Sequence, residues 1–260
     1  MNPPLVQRWN ARRARYRPAG ETIRTTDFEV APIADDATAK AFVVAHHYAG
    51  TYPAARFRYG LYRRGGALVG VAVFSHPTND RTLTNVFPGA AVESVELGRF
   101  VLLDAVPGNG ETWFLARAFA LLRREDLLGV LSFSDPVERR TAAGELVKPG
   151  HIGTIYRAHN GRFLGRGAPS TLRLLPDGSI LAPRALAKIR SRDRGWRYAA
   201  AQLERAGAAP LGEREDGAAW LARWLPALTR TIRHPGNLRY AWALARGVAL
   251  PEAQPFGEAA

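Results

Sequence analysis

The sequence contains no cysteine, and its 36 basic side chains include only three lysines, Lys40, Lys148 and Lys188. Without cysteine the chain has no disulfides, no thiolate metal sites and no cysteine nucleophile. It also lacks any apolar run near the roughly 20 residues that a membrane span requires. The amino terminus is basic with no apolar segment behind it, unlike a signal peptide. We therefore expect a cytoplasmic protein that does not enter the membrane.

Basic residues outnumber acidic residues by a wide margin. The 260 residues include 36 Lys or Arg against 23 Asp or Glu, a formal net charge of +13. Clustered guanidinium groups bind polyanions because they release counterions from phosphates. We expect double-stranded DNA as the partner; the alternative is that the arginine surplus reflects only a GC-rich genome.

The basic residues concentrate in two segments. Residues 8–17 mix arginine with aromatic residues, and we interpret them as a flexible arm along DNA phosphates, with a frayed terminus as the alternative. Residues 184–192 form a predicted basic helix. The side chains expected on the DNA backbone are Arg12, Arg13, Arg184, Lys188 and Arg190.

Strand and helix patterns alternate in the middle of the chain. They predict a helix over 36–48, a hairpin over 59–74, a strand over 94–103, a helix over 112–124 and a buried strand over 129–134. This order predicts an α/β (α+β) fold with a mixed sheet.

The later residues are predicted to be mainly helical. We interpret the polar residues 138–148 as a loop insertion, and residues 171–181 as a hairpin around Asp177-Gly178. Helices are predicted over 184–192, 198–206 and 220–232, before a closing strand over 236–244. The predicted division is a basic arm 1–25, a catalytic core 26–182, a basic helical segment with the closing strand 183–246, and a disordered tail 247–260.

Polar residues follow the buried strand at 129–134. The carboxyl end of a buried strand is a common place for an α/β site, because the crevice opens there. Asp135 is a candidate general base or metal ligand, and His151 a candidate base near neutral pH. The alternative for Asp135 is a cap of the turn before Pro136. Whether Asp135 and His151 converge depends on the path of residues 138–148.

Glu96 and Arg99 introduce charge into an otherwise apolar strand. Simple alternation predicts Glu96 and Gly98 on one face, with Leu97 and Arg99 on the other. At least one charge should then be paired or face a cleft, the alternative being an internal salt bridge. The planar fork of Arg99 suits an anion or a carbonyl oxygen. The turn at 107–111 precedes a helix and offers backbone amides to an anion.

The histidines do not form a known metal motif. His46, His47, His151 and Asp135 are chemically suitable ligands, but no pair has a recognised spacing.

Together these residues resemble the Mom DNA-modification proteins of bacteriophages and prophages, a branch of the GNAT-like superfamily. The resemblance covers roughly residues 40–245, and its most specific piece is Gly150-His151-Ile152-Gly153-Thr154-Ile155-Tyr156. The other matching pieces are His47-Tyr48, Glu96-Leu97-Gly98-Arg99 followed by Asp104, Pro107, Asn109 and Glu111, and residues 132–135, 157–160, 163–165 and 234–240.

The resemblance implies a GNAT-like fold with a mostly antiparallel sheet. It also implies a transferase that adds a small carbamoyl-type group to the exocyclic amine of adenine in DNA, protecting it from restriction. The implied catalytic residues are Arg99, Ser132, Ser134, Asp135, His151 and Tyr156. The implied substrate-binding residues are His47, Tyr48, Tyr52, Asn109 and Asn160, and the adenine must leave the base stack to reach them.

The resemblance leaves the cofactor open. Iron is suspected in the family, and Asp135 and Tyr156 are the matching oxygen ligands. Residues 107–111 lack the Gln/Arg-x-x-Gly-x-Gly/Ala signature that holds the acetyl-CoA pyrophosphate, so the donor is either acetyl-CoA or another acyl donor. Two other functions compete: acylation of another amine, such as a small molecule or a hypermodified pyrimidine, and DNA binding without catalysis.

Overall fold

The computed structural model describes residues 5–79 and 81–257, and the chain divides into two compact units. Unit 1 comprises the residues up to Pro136, His151–Gly167 and the residues from Asn237 onward; unit 2 comprises Val137–Gly150 and Ala168–Gly236. The chain therefore crosses between the units four times. These boundaries differ from the sequence-based division, because strand pairing joins segments that are distant in the sequence.

The centre of unit 1 is a seven-stranded sheet. Its strand order is β10-β13-β7-β6-β5-β4-β3, and β6 with β7 is its parallel pair. The strands are β3 (Phe28–Pro32), β4 (Ala55–Arg63), β5 (Leu68–Ser75), β6 (Ser94–Leu102), β7 (Gly129–Ser134), β10 (Arg162–Arg166) and β13 (Leu238–Ala243). The predicted α/β fold with a mixed, mostly antiparallel sheet is confirmed.

Helices cover both faces of this sheet. They are α1 (Asp36–His46), α2 (Arg81–Thr84), α3 (Gly110–Arg124) and α4 (Thr154–Ala158). α3 buries Phe114, Leu115 and Leu122 in the main core, because these residues share one helical face. α1 begins at Asp35, which accepts a hydrogen bond from the Thr38 N–H, and packs on the opposite face.

The basic amino-terminal segment is a docked hairpin rather than a flexible arm. Strands β1 (Leu5–Asn10) and β2 (Arg13–Pro18) pair antiparallel. Trp9 is 8% exposed and Arg8 only 1% exposed. Arg8 forms an ion pair with Glu111 in the first turn of α3 and donates hydrogen bonds to the carbonyls of Val106 and Pro107. A buried aromatic and a paired arginine hold the hairpin in place, which the charge pattern alone did not indicate.

The carboxy-terminal segment also has contacts. Residues 248–257 form no helix or strand, but the Gln254 N–H donates to the Phe163 carbonyl, and Phe256 packs on the Phe163 ring at 5.2 Å. The predicted disordered tail is thus held against β10 through Gln254 and Phe256; residues 258–260 lie outside the described part of the chain.

Unit 2 has its own core, formed by three helices. They are α5 (Pro183–Ser191), α6 (Trp196–Glu204) and α7 (Gly217–Leu228), and they bury Ile189, Leu203 and Trp220 together. The segment predicted as a loop insertion contains a short hairpin, β8 (Arg139–Arg140) with β9 (Leu146–Lys148).

One helix of unit 2 is shorter than predicted. The helix predicted over 220–232 ends at Leu228, because the following residues form β12 (Arg230–His234). The predicted hairpin around Asp177-Gly178 is present, with an antiparallel bridge between Leu174 and Ile180 and hydrogen bonds from the Leu175 N–H to the Ser179 carbonyl and from the Leu181 N–H to the Arg173 carbonyl. Its first strand, β11 (Ser170–Leu174), also pairs along its length with β12. Among the described residues no helix has both the length and the hydropathy of a membrane span.

Candidate active site

The two parallel strands of unit 1 separate near their carboxyl ends. β6 and β7 pair from Ser94 opposite Gly129 to Leu97 opposite Ser132. Beyond that point β6 continues to Leu102 and β7 to Ser134. Ser132 marks the last pair, and its hydroxyl donates to the Leu97 carbonyl at 3.1 Å. A crevice at the carboxyl ends of parallel strands is where ligands bind in α/β sheets.

A β-bulge in β6 positions its charged residues. Arg99 pairs with Val73 and Leu97 pairs with Phe74, so Gly98 is an extra residue without a partner on β5. The bulge places Glu96 and Arg99 on the same face of the sheet. The predicted alternation, with these two charges on opposite faces, is therefore wrong, because it assumed an uninterrupted strand. Bulges often redirect side chains next to functional sites.

Arg99 is held rigidly. Its guanidinium donates to the Thr51 carbonyl at 2.8 Å, the Thr51 hydroxyl at 2.7 Å and the Gly98 carbonyl at 2.5 Å. Burial lowers the pKa of Arg99, while Tyr48, Glu96 and Tyr156 act in the opposite direction. Three of its five N–H groups are used, which leaves two for a ligand.

Glu96 is a site residue that the sequence reasoning did not select. Burial raises the pKa of Glu96, and the nearby positive charge of Arg99 partly opposes that rise. The signal in the sequence was a carboxylate within an apolar strand, but strand alternation pointed it away from Arg99. We refer to these two residues as the Glu96–Arg99 pair.

Aromatic rings line the same region in a continuous series, which we name the aromatic row. Centroid distances are 4.7 Å from Trp9 to Tyr48, 6.5 Å from Tyr48 to His151, 6.2 Å from His151 to Tyr156 and 5.4 Å from Tyr156 to Tyr240. Tyr48 and His151 are only half-buried, so the middle of the row is accessible. Trp9 comes from β1 and was not predicted as a site residue.

Two tyrosines of the row, Tyr156 and Tyr240, lie beside the buried serines Ser132 and Ser134. Burial raises the pKa of Tyr156, and a hydrogen bond with Ser132 acts against that rise. Burial also raises the pKa of Tyr240 to about 12, and its hydroxyl donates to the Ile152 carbonyl at 2.5 Å. Ser134 is fully buried beside Tyr240. Both tyrosines thus keep their protons at neutral pH and can act as hydrogen-bond donors.

Gly153 explains why the most specific motif contains a second glycine. Its φ is +69°, and a Cβ at this position would lie 2.5 Å from the Tyr240 ring and 3.0 Å from the Tyr156 ring. A side chain would collide with both tyrosines and strain the backbone. The motif therefore allows α4 to begin directly against β13.

Asp135 and His151 converge although residues 136–150 separate them. The His151 N–H donates to the Asp135 carbonyl at 2.9 Å. The chain leaves unit 1 after Pro136 and returns at His151, so the inserted residues belong to unit 2. The insertion therefore does not separate the two residues.

His47 is buried and packs against Tyr48 of the aromatic row. It is 6% exposed, its Nδ1 accepts a hydrogen bond from the Ala49 N–H at 3.1 Å, and its ring lies 4.3 Å from Tyr48. This histidine orients Tyr48 at the end of α1.

Three other predicted substrate-binding residues have local contacts. The Tyr52 hydroxyl donates to Asp36 at 3.0 Å, in the first turn of α1. Burial, followed by the hydrogen bond to Asp36, raises the pKa of Tyr52. Asn109 accepts the Ile23 N–H at 2.7 Å, and Asn160 is an exposed turn residue with a φ of 58°. Their role in substrate binding stays a prediction.

The arginines predicted on the DNA backbone occupy both units. Arg12 and Arg13 are exposed at the tip of the β1–β2 hairpin, and the Arg12 N–H donates to the His46 carbonyl at 3.1 Å. That contact places the tip beside the end of α1, next to His47 and Tyr48. In unit 2, Arg184 and Arg190 are exposed on α5, whereas Lys188 is half-buried.

No further ligands in the described part of the chain accompany the predicted metal ligands Asp135 and Tyr156. The described residues contain no group of three or more His, Asp or Glu side chains that could hold a metal. Burial raises the pKa of Tyr156, which disfavours the phenolate form that a metal would bind. No step is therefore assigned to iron.

The turn before α3 is already occupied by groups of this chain. Glu21 accepts a hydrogen bond from the Gly108 backbone, which contributes to lowering the pKa of Glu21. A Cβ at Gly108 would lie 2.3 Å from the Pro18 carbonyl oxygen. The predicted anion site at 107–111 thus contains a carboxylate and the chain after β2, an arrangement that does not fit a donor pyrophosphate.

A separate cavity of about 370 Å³ lies in unit 1. Its lining comes from β10, β13, the segment after α2 and the carboxy-terminal segment, and includes Arg166, Arg239 and Glu252. No residue of the aromatic row or of the Glu96–Arg99 pair lines it.

Comparisons with known proteins identify one family. The Mom protein family model matches residues 27–213, more than half of the chain. No curated protein matches the chain.

Among solved structures, a tandem GNAT protein from the clavulanic acid biosynthesis pathway has 11% identity and a TM-score of 0.43, covering 85% of this chain and 99% of its own. A protein described as a candidate phosphinothricin N-acetyltransferase has 10% identity and a TM-score of 0.34, covering 55% and 86%. A GNAT acetyltransferase from Listeria monocytogenes has 14% identity and a TM-score of 0.29, covering 42% and 58%. Because these TM-scores are below 0.5, the likenesses carry no conclusion about the activity of this chain.

Proposed function

Because this chain belongs to the Mom protein family, we propose that it is a transferase that adds a small carbamoyl- or acyl-type group to the exocyclic amine of adenine in DNA. The observation that carries the proposal is the meeting of the aromatic row and the Glu96–Arg99 pair where β6 and β7 separate. Polar, aromatic and guanidinium groups from five distant segments converge there.

Arg99 supplies the electrostatic part of the chemistry. When an amine nitrogen attacks the carbonyl carbon of an acyl donor, negative charge develops on the carbonyl oxygen. A fixed guanidinium with two unused N–H groups stabilises that oxygen without reorganising. The Thr51 contacts provide this rigidity.

The aromatic row supplies a place for an extruded base. An adenine inside a duplex is out of reach, so it must rotate out of the stack and be held by aromatic contacts. Tyr48 and His151 are half-buried and offer ring surface at the mouth of the crevice. Tyr156 and Tyr240 lie deeper and close the row.

The charge distribution supports DNA as the partner. Arg12 and Arg13 project from the hairpin tip beside the row, and α5 of unit 2 presents Arg184 and Arg190 to solvent. Such arginines hold phosphates without choosing a sequence. The net charge of +13 favours the same polyanionic partner.

The proposal is tested by mass spectrometry of nucleosides from plasmid DNA in bacteria that express the protein. We expect a heavier deoxyadenosine, whose added mass identifies the group. Arg99→Lys should abolish it, because lysine lacks the planar fork. Arg64→Lys is the matched control. Arg64 is exposed, so the same substitution there should leave the modification unchanged.

Other outcomes would contradict the proposal in different ways. A heavier pyrimidine nucleoside would assign the transfer to a different amine. Unmodified DNA in cells that contain the folded protein would exclude DNA base modification as its activity, and retained DNA binding would then favour a non-catalytic role.

A further inference from the structure

We infer that Glu96 is the catalytic proton acceptor, taking a proton from the exocyclic amine of the base as the new bond to carbon forms. This inference rests on the proposed function and assigns the base of that reaction to a residue other than Asp135 or His151.

The first support is the position of the carboxylate. The bulge at Gly98 places Glu96 on the same face as Arg99, where the Thr51 contacts fix the guanidinium. A proton acceptor must reach the amine proton and an oxyanion-stabilising group must reach the carbonyl oxygen, so both must face the same cleft. An uninterrupted strand would put them on opposite faces of the sheet.

The second support is that the bulge requires glycine. A Cβ at position 98 would lie 2.9 Å from the Ser75 hydroxyl oxygen, 3.4 Å from Pro53 Cγ and 3.9 Å from Glu96 Oε1. A larger residue would therefore collide with Ser75 and Pro53 beside the carboxylate. Glycine at this position preserves the bulge that places Glu96 on the face of Arg99.

The third support is that Glu96 has no hydrogen-bond donor among the described residues. It is half-buried, yet there it accepts no hydrogen bond and forms no ion pair within 4.0 Å. Arg99 is the opposite charge that acts on Glu96, and Glu96 in turn acts on Tyr156. A partly buried carboxylate normally has a donor, and the N–H of an extruded base would be one.

The chemistry balances with these groups. The amine nitrogen bonds to the carbonyl carbon of an activated acyl or carbamoyl donor, and the carbonyl electron pair moves to the oxygen beside Arg99. The N–H proton passes to a Glu96 oxygen. The carbonyl then re-forms, its bond to the leaving group breaks, and Glu96 returns the proton to that leaving group. Burial raises the pKa of Glu96, which makes it a stronger base than an ordinary carboxylate.

The test compares Glu96→Gln with the wild-type protein. Duplex DNA is incubated with purified protein and the low-molecular-weight fraction of host extract, and modified nucleoside is quantified. Because glutamine keeps the size but accepts no proton, we expect the rate to fall by about 100-fold or more. DNA affinity should be unchanged. Glu93→Gln is the control, since Glu93 is an exposed carboxylate just before β6.

The pH profile separates a base from a structural role. The wild-type rate should rise with pH along an acidic limb that lies above the ordinary value of 4.5, because the folded pKa of Glu96 is raised. Glu96→Asp should retain a limb at reduced rate, and Glu96→Gln should lose it. Asp135→Asn and His151→Gln should keep it, whatever their rates.

Three other outcomes would contradict the assignment of Glu96 as the proton acceptor. Modification by Glu96→Gln at the wild-type rate, or disappearance of the limb in Asp135→Asn or His151→Gln, would overturn the assignment while leaving DNA modification intact. Loss of DNA binding and of folded structure in both Glu96 variants would assign it a structural role instead. No modification by the wild-type protein would refute the proposed function itself, and the assignment with it.

Discussion

Glu111→Gln should destabilise unit 1 strongly, because it removes one member of a buried ion pair. Arg8 is 1% exposed and Glu111 is 4% exposed. Burial already lowers the pKa of Arg8 to about 10, so the charged guanidinium depends on its remaining contacts. In the variant, Arg8 keeps the carbonyls of Val106 and Pro107 and the attraction of Glu21 and Asp104, but it loses the carboxylate that it contacts.

Removing one partner of such a pair costs about 3–5 kcal/mol. Glutamine still accepts a hydrogen bond, so we expect the lower end, about 3 kcal/mol. For a domain of this size each kcal/mol lowers the melting temperature by roughly 2–4 °C, which predicts a decrease of about 6–12 °C. The double variant Arg8→Met with Glu111→Leu should recover most of the loss, because it leaves no unpaired charge.

Thermal unfolding followed by circular dichroism measures the shift, and amide hydrogen exchange of β1 and β2 reports whether the hairpin undocks first. Glu138→Gln is the control: its pair with Arg140 is half exposed on both sides and should change stability by less than about 1 kcal/mol. An unchanged melting temperature together with unchanged β1 exchange in Glu111→Gln would refute the docking of the hairpin through this pair.

Gly153→Ala should abolish modification and destabilise the protein by more than about 1 kcal/mol, because the new Cβ would lie 2.5 Å from the Tyr240 ring at a φ of +69°. A variant that melts at the wild-type temperature and keeps wild-type activity would contradict this packing. Arg184→Gln with Arg190→Gln should weaken DNA binding uniformly across sequences and reduce the slope of log K against log salt by about 1.8 in titrations, and an unchanged slope would exclude α5 from the interface. Glu96→Gln should melt at a higher temperature than the wild-type protein at neutral pH. The pKa of Glu96 is higher in the folded protein than 4.5, so the wild-type protein loses stability as the pH rises from 4.5 through the folded pKa. Equal melting temperatures of the two proteins over this pH range would contradict a raised pKa.

Much of the fold follows from local patterns in the sequence. Apolar runs predicted the strands around 94–103 and 129–134, and an apolar helical face predicted α3. The closing strand at 236–244 was predicted from alternation and is β13. These elements are readable because each depends on neighbouring residues and on burial of one face.

The residues of the candidate site could be predicted only in part from the sequence. Arg99, Ser132, His151 and Tyr156 were selected from three separate stretches that resemble the family, and the structure brings them together. Glu96 was not selected as a site residue, because its face depends on one extra residue in the pairing of β6 with β5. A bulge is a property of two strands together, so one strand's alternation cannot reveal it.

The sequence alone determined the cysteine-free composition, the excess of arginine, the main helices and strands, and the family motif with its glycines. Only the tertiary structure decided that the basic amino-terminal segment is docked through Arg8 and Trp9, and that residues 137–150 belong to unit 2. It also decided that the turn before α3 is filled by Glu21. These features depend on contacts between residues far apart in the chain, where burial and charge pairing override local propensity.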